Sequence, residues 1–376
     1  MSNKRHILVV SDPPALPGYL PRLRYLCDYF VRKGCALTLV TEQYQPLDFA
    51  HDYPIVTIPM YSGSLFDWAI KTIWTLLTDW HNRIFAKRVL SGQYADIQKP
   101  DVVLCSAFSD FPLGAAKRIA QFYQVPLICD IRDLDEQIAD SRYQYKHRTW
   151  WTMCGRRIYR AIHIRRRNNV LRKADSITTV SPWHAEFNNQ FNPNTHIVYN
   201  GYDAAQFFPG KNKTDKFCIS YIGSLFDWQQ SALQQVKQAL QELDIPITLD
   251  IHTPKDRPVA FDQLGDAIRR SSIMLVLTST NAHGMLTTKF YEALGCDKPI
   301  LCVPSDNGDL AQLIAYTKAG IATSDKEQIR TFITDKYNEW KQQGYTCQQA
   351  IHREEFSRET QCKHLEQIIQ SVVEHD

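Results

Sequence analysis

The sequence predicts an α/β chain made of two doubly wound halves. Three observations carry this. Short apolar, β-prone runs such as His6–Val10, Asp101–Ser106 and Met274–Leu277 recur along the chain, and amphipathic helical stretches separate them. A polar linker, Gly210–Lys216, interrupts the pattern, after which it begins again. The length of 376 residues suits two domains, each large enough for its own core.

The first half opens with a strand at His6–Val10, a loop at Ser11–Gly18, a helix over Tyr19–Lys33 closed by Gly34, and a strand at Ala36–Thr41. The loop lacks a G-x-G-x-x-G pattern, which argues against a dinucleotide dehydrogenase. Asp12, Gly18 and Arg22 fall at the carboxyl edge of that first strand, where open parallel sheets bind ligands. Residues Ser64–Leu90 read as helical, and the spacing of Trp68, Trp74 and Trp80 favours the core over a surface that meets the bilayer. Asp101–Ser106 and Pro126–Ile131 are buried strands joined by a helix over Leu113–Tyr123. Each strand runs into a polar loop, bearing Asp110 in one case and Arg132 and Asp133 in the other. Ser181 followed by Pro182 is a helix start after the strand ending at Val180. The strand His196–Tyr199 closes the half, before the Asn200-Gly201 turn.

The second half begins with the strand Phe217–Ile222 and a tight turn at Gly223-Ser224. A helix over Gln229–Leu243 and the strand Ile247–His252 follow. A long amphipathic helix after Arg358, with Leu365, Ile368, Ile369 and Val372 on one face, ends the chain. The most informative stretch is Met274–Pro304, which reads as strand, polar loop, short helix and strand. Thr287 or Thr288 caps the helix and Gly295 ends it. Phe290, Ala293 and Leu294 share its core face, while Lys289 and Glu292 share the other. A helix N-terminus carrying a cation in its first turn and a carboxylate one turn on suits a diphosphate joined to a sugar.

The segment Lys289-Phe290-Tyr291-Glu292-Ala293-Leu294-Gly295-Cys296-Asp297-Lys298-Pro299-Ile300 resembles the donor-site signature of glycosyltransferase family 4. Asp130-Ile131-Arg132-Asp133-Leu134 resembles a loop motif of members that build surface polysaccharides such as O-antigen and capsule. Asn200-Gly201-Tyr202-Asp203 with Phe208-Pro209 resembles the family's interdomain junction. The resemblance implies the GT-B fold, two Rossmann-like domains facing across a cleft. An acceptor-side domain would span 1–203 and a donor domain 204–355, with a helix at 356–376 packing back on the first domain. It implies transfer of a sugar from a UDP- or GDP-linked donor with retained configuration. In that reading Lys289 and the N–H groups near Thr287 and Thr288 meet the diphosphate, Glu292 holds the ribose, and Gly223 and Ser224 line the donor. Arg132, Asp133 and Asp110 would serve the sugar and acceptor. Asp12, Gly18 and Arg22 stand on the acceptor side. The family's basic pair falls on Ser224 and Gln229 in this chain, so Lys289 carries more of the charge. No cofactor or metal is implied.

Composition adds bounds. At 44% hydrophobic and 22% charged residues the chain is that of a soluble globular protein. Ten cysteines without C-x-x-C pairs, several inside apolar runs, suit free thiols in a reducing compartment. No run reaches the length of a membrane span or a secretory signal. The expected location is therefore cytoplasmic, peripheral at the inner face of the membrane. The net charge of +3 hides a run from Arg142 to Lys173 with eleven Lys or Arg and no acid. With Trp150 and Trp151 beside it, this run favours an anionic membrane surface and a polyprenyl-diphosphate-linked saccharide acceptor over nucleic acid. The competing readings are a nucleotide-sugar 2-epimerase of the same fold and a catalytically silent scaffold in polysaccharide assembly.

Overall fold

The computed structural model describes residues 5–12, 21–43, 50–60, 65–107, 110–137, 150–280 and 282–374, with side chains left aside at 65–69 and 150–156. Gly18, the Arg142–Thr149 part of the basic run, and the side chains of Trp68, Trp150 and Trp151 lie outside that description.

The chain forms two compact units, one of residues 1–198 and 362–376 and the other of residues 199–361. The first holds a parallel sheet of β1 (His6–Ser11), β2 (Ala36–Glu42), β3 (Ile55–Ile58), β4 (Val102–Ala107), β5 (Leu127–Ile131), β6 (Ser176–Thr179) and β7 (Thr195–Ile197). Their order is β3-β2-β1-β4-β5-β6-β7, so the winding reverses between β1 and β4. Both faces are covered, which is why the strands are apolar at successive positions and not at alternate ones. Leu8 and Val10 enter one core with Phe85, Val89 and Ile119. Ile7 and Val9 enter another with Leu26 and Phe30 from α1 (Pro21–Arg32). Leu365, Ile368 and Ile369 of the terminal helix, Arg358–Glu374, join that second core.

The second unit repeats the plan with β8 (Phe217–Ile222), β9 (Ile247–His252), β10 (Ile273–Leu277), β11 (Ile300–Val303) and β12 (Gly320–Ala322). The order β12-β11-β10-β8-β9, again all parallel, reverses between β8 and β10. Met274 and Val276 face one core, and Ile273, Leu275 and Leu277 face the other.

Two expectations are corrected. Ser64–Leu90 is not one helix: α2 (Leu65–Thr78) and α3 (Trp80–Leu90) break at Asp79, which adopts φ 57° and ψ 39°. Its carboxylate is held there by Asn82 Nδ2 at 2.8 Å and by Arg118 at 3.4 Å. Nor is every tryptophan of the stretch in the core. Trp80 packs against the first core, but Trp74 is half exposed. With Ile70, Ile73 and Leu77 it makes an outward stripe at helical spacing, 39–75% exposed, because α2 buries Thr75 on its inner side instead.

Candidate active site

In doubly wound sheets ligands bind beyond the carboxyl ends of the strands, where the winding reverses. In the second unit that place is the end of β8 beside β10. Gly223 follows β8 with φ 131°. A Cβ there would lie 2.7 Å from Lys289 Cε and 2.9 Å from Nζ, so the glycine admits the lysine against the backbone. Lys289 stands in the first turn of α9 (Thr288–Gly295), its Nζ 5.2 Å from the centre of the Tyr221 ring. Burial lowers the pKa of this ammonium and Glu292 partly restores it. Burial raises the carboxyl pKa of Glu292, against the pull of Lys289 and Arg358. The pair thus joins a cation that prefers to gain an anion with an acid that prefers to gain a donor.

Thr287 caps α9, its hydroxyl accepting from the Lys289 N–H at 3.4 Å, while its carbonyl accepts from the Phe290 N–H at 3.1 Å. Among the described residues, the backbone donor left at the helix mouth is that of Thr288, which is exposed. Phe290, Ala293 and Leu294 are fully buried, as their spacing requires, and so is Tyr291. Gly295 is the last residue of the helix, and its physical reason is packing: a Cβ would stand 2.6 Å from the Tyr202 ring. Lys298, matched by the same signature, is buried with Nζ on the Thr346 carbonyl at 3.1 Å and its pKa pushed down to about 8 by burial. It holds a loop.

Gln229 is framework, whereas Ser224 is exposed and joins that framework only through its carbonyl. The Tyr221 hydroxyl donates to the Ser224 carbonyl at 2.6 Å. Gln229 Oε1 accepts from Tyr221 at 3.2 Å and from the Phe226 N–H at 3.0 Å, and its Nε2 donates to the Leu277 carbonyl at 2.8 Å. One buried amide therefore ties the end of β8, the following loop and the end of β10 together.

The carboxyl edge of the first sheet is organised around Asp130, which sequence reasoning passed over. Arg22 grips its carboxylate with two N–H groups at 2.7 and 3.1 Å and also donates to the Val198 carbonyl at 3.2 Å. Ser106 and Thr178 donate to it at 3.1 and 2.8 Å. Burial pushes the Asp130 pKa up, but Arg22, Arg132 and Thr178 outweigh it and leave the pKa below the usual carboxylate range. Arg132 is buried 3.9 Å from Asp130, and Asp12 is buried within its field. Asp133 is exposed. The signal available was one acid inside the apolar run Leu127–Ile131.

A second pair lies on the same unit. Asp110, three residues past the end of β4, accepts from His163 Nδ1 of α5 (Trp150–Leu171). The place of His163 on this helix was not visible in the basic run. Arg166 donates to the Thr75 and Leu76 carbonyls, both at 2.7 Å, capping α2. Arg167 is 1% exposed and bidentate on Glu136. These two arginines of the basic run therefore hold the unit together, and Arg157 and Arg165 remain exposed.

Residues 22–206 match the model of the family described as Glycosyltransferase Family 4. The match spans just under half of the chain and gives it a glycosyltransferase domain. The whole chain resembles solved structures of GT-B glycosyltransferases. A glycosyltransferase from Rickettsia africae aligns with 11% identity over 100% of both chains at a TM-score of 0.63. Anabaena Alr3699/HepE in complex with UDP-glucose aligns with 12% identity over 97% of this chain and 99% of that one, at 0.61. The same protein with UDP and glucose gives 0.62 at 12% identity, over 98% of this chain and 100% of that one. No curated protein matches in sequence.

Proposed function

We propose that the protein transfers a sugar from a nucleoside diphosphate sugar to a hydroxyl of a lipid-linked saccharide, with retained configuration, in the building of a cell-surface polysaccharide. The observation that carries this reading is the Lys289 ammonium, seated against the Gly223 backbone where the second sheet reverses its winding. The Anabaena protein of like fold is seen with UDP-glucose, which favours UDP as the donor base.

In this reading Lys289 and the Thr288 N–H neutralise the departing diphosphate, and Glu292 accepts hydrogen bonds from the ribose hydroxyls. Charge already in place there lowers the barrier because it forms no new order as the bond breaks. Side-chain and backbone charge serve the leaving group without a metal. Arg132, Asp133 and Asp110 serve the sugar and the acceptor, with Asp12, Gly18 and Arg22 behind them. Incubation with a panel of UDP- and GDP-sugars tests the proposal: slow release of free nucleotide from one of them is expected. Epimerised sugar without free nucleotide would point to an epimerase, and absence of both turnover and nucleotide binding to a scaffold.

The membrane part of the proposal rests on α2 beside α5. Ile70, Ile73, Trp74 and Leu77 are exposed on α2, Ile158 and Tyr159 on α5, and Arg157 and Arg165 flank them. No helix among the described residues is long and apolar enough to cross a membrane. Trp74→Ser with Leu77→Ser is expected to reduce sedimentation with phosphatidylglycerol vesicles, and Arg165→Gln to weaken it more at low salt than at high. Unchanged sedimentation of both variants would remove the membrane from the proposal.

A further inference from the structure

We propose that His163 and Asp110 form a hydroxyl-binding dyad for the acceptor saccharide, an inference that rests on the transferase reading above. Both side chains are more than nine-tenths buried, and Asp110 Oδ1 accepts from His163 Nδ1. A carboxylate on Nδ1 fixes the tautomer: Nδ1 carries the hydrogen and Nε2 presents a lone pair. Among the described residues that Nε2 has no hydrogen-bond partner, and neither has Asp110 Oδ2. A buried polar atom left unmatched is unfavourable, and two on one dyad mark a place where an outside donor completes the set.

The surroundings hold the imidazole still. Arg160, three residues before it, donates to the Asp135 carbonyl; Arg166, three after, caps α2; Arg167, four after, is clamped by Glu136. α5 is thus pinned on three sides of His163, the rigidity a positioning group needs. The Tyr159 ring, 3.8 Å from the imidazole centre, is itself 44% exposed and links the dyad to the outside. Asp110 lines a cavity of about 160 Å³ with Asp79, Gly114, Lys117, Arg118 and Arg166. Asp79 and Arg166 are engaged with protein groups there, whereas Asp110 keeps one buried carboxylate oxygen unmatched among the described residues. A hydroxyl, which donates one hydrogen and accepts others, suits a lone pair facing cations. A peg that merely fastened α5 to the sheet would have its outer nitrogen matched by protein.

The experiment uses the full chain with n-octyl β-glucoside, β-galactoside and β-N-acetylglucosaminide as acceptor probes. His163→Phe and Asp110→Asn are each expected to raise the acceptor KM at least tenfold. Equal transfer by parent and variants would overturn the dyad and leave the transferase standing. Because His163→Phe can fail to fold, the parent is also read directly by long-range 1H–15N correlation of the His163 imidazole during glycoside titration. A shift of Nε2 alone supports the dyad; no shift with any of the three overturns it. If the parent turns over no nucleotide sugar, the transferase reading fails, and the imidazole titration still decides whether the dyad binds a sugar hydroxyl.

Discussion

The carboxyl edges of the two sheets share one strand logic but distribute charge in opposite ways. At the first edge, Asp130 collects Arg22, Ser106 and Thr178, with Arg132 close by, and every element around β5 contributes a group. At the second edge one lysine and one glutamate stand on one short helix, with the Gly223 backbone and the Tyr221 ring at the lysine and the Arg358 charge acting on the glutamate from a distance. Charges that satisfy one another fix a framework. Charges held apart by a turn of helix keep their capacity for something that arrives. Similar topology therefore does not imply similar use, and the chemistry of each edge has to be read from its own partners.

Four experiments sharpen or break this contrast. Asp130→Ala should have the largest effect, about 3–5 kcal/mol of unfolding free energy, because it leaves Arg22 and Arg132 buried without their counterion; urea denaturation measures it, and a loss below about 1 kcal/mol would mean that this edge is not a framework. Lys289→Ala should leave the urea midpoint nearly unchanged and weaken nucleotide-sugar binding by roughly 1.5–3 kcal/mol in calorimetry, the worth of hydrogen bonds to a charged group. Glu292→Ala should cost roughly 1–3 kcal/mol of the same affinity, and an unchanged donor affinity would sink its role at the ribose.

The smallest effect is in acid. Asp130 has a folded pKa below its unfolded one, so its stabilisation is present above the unfolded value and is lost only as pH falls through the depressed folded value. The Glu292 pKa lies above the usual carboxylate range, so it takes its proton first on the way down. Donor affinity should therefore decline at a pH where circular dichroism still reports a folded protein. Coincident loss of binding and fold would erase the distinction between the two edges.

Much of the architecture was legible because the strands bear it themselves. The apolar runs at Leu127–Ile131, Phe217–Ile222 and Ile300–Val303 are bounded by turns and polar loops, and Ser181 and Thr287 cap helices through local hydrogen bonds. What was not legible depends on contacts distant in sequence. Arg166 and Arg167 read as surface charge until α2 and Glu136 are brought to them. The left-handed turn at Asp79 depends on Arg118, and the weight of Asp130 on Arg22 more than a hundred residues away. His163 carries no local pattern at all, and its partner lies 53 residues earlier.

Gln229 has a consequence for anyone who redesigns this edge. A lysine placed there would take the amide from the Leu277 carbonyl and from Tyr221 in one step, before any charge could serve a ligand. A single replacement therefore loosens a strand end as it adds a cation. A design that wants a cation at this position must first brace Leu277 and Tyr221 by other means, and the order of the changes matters as much as the changes themselves.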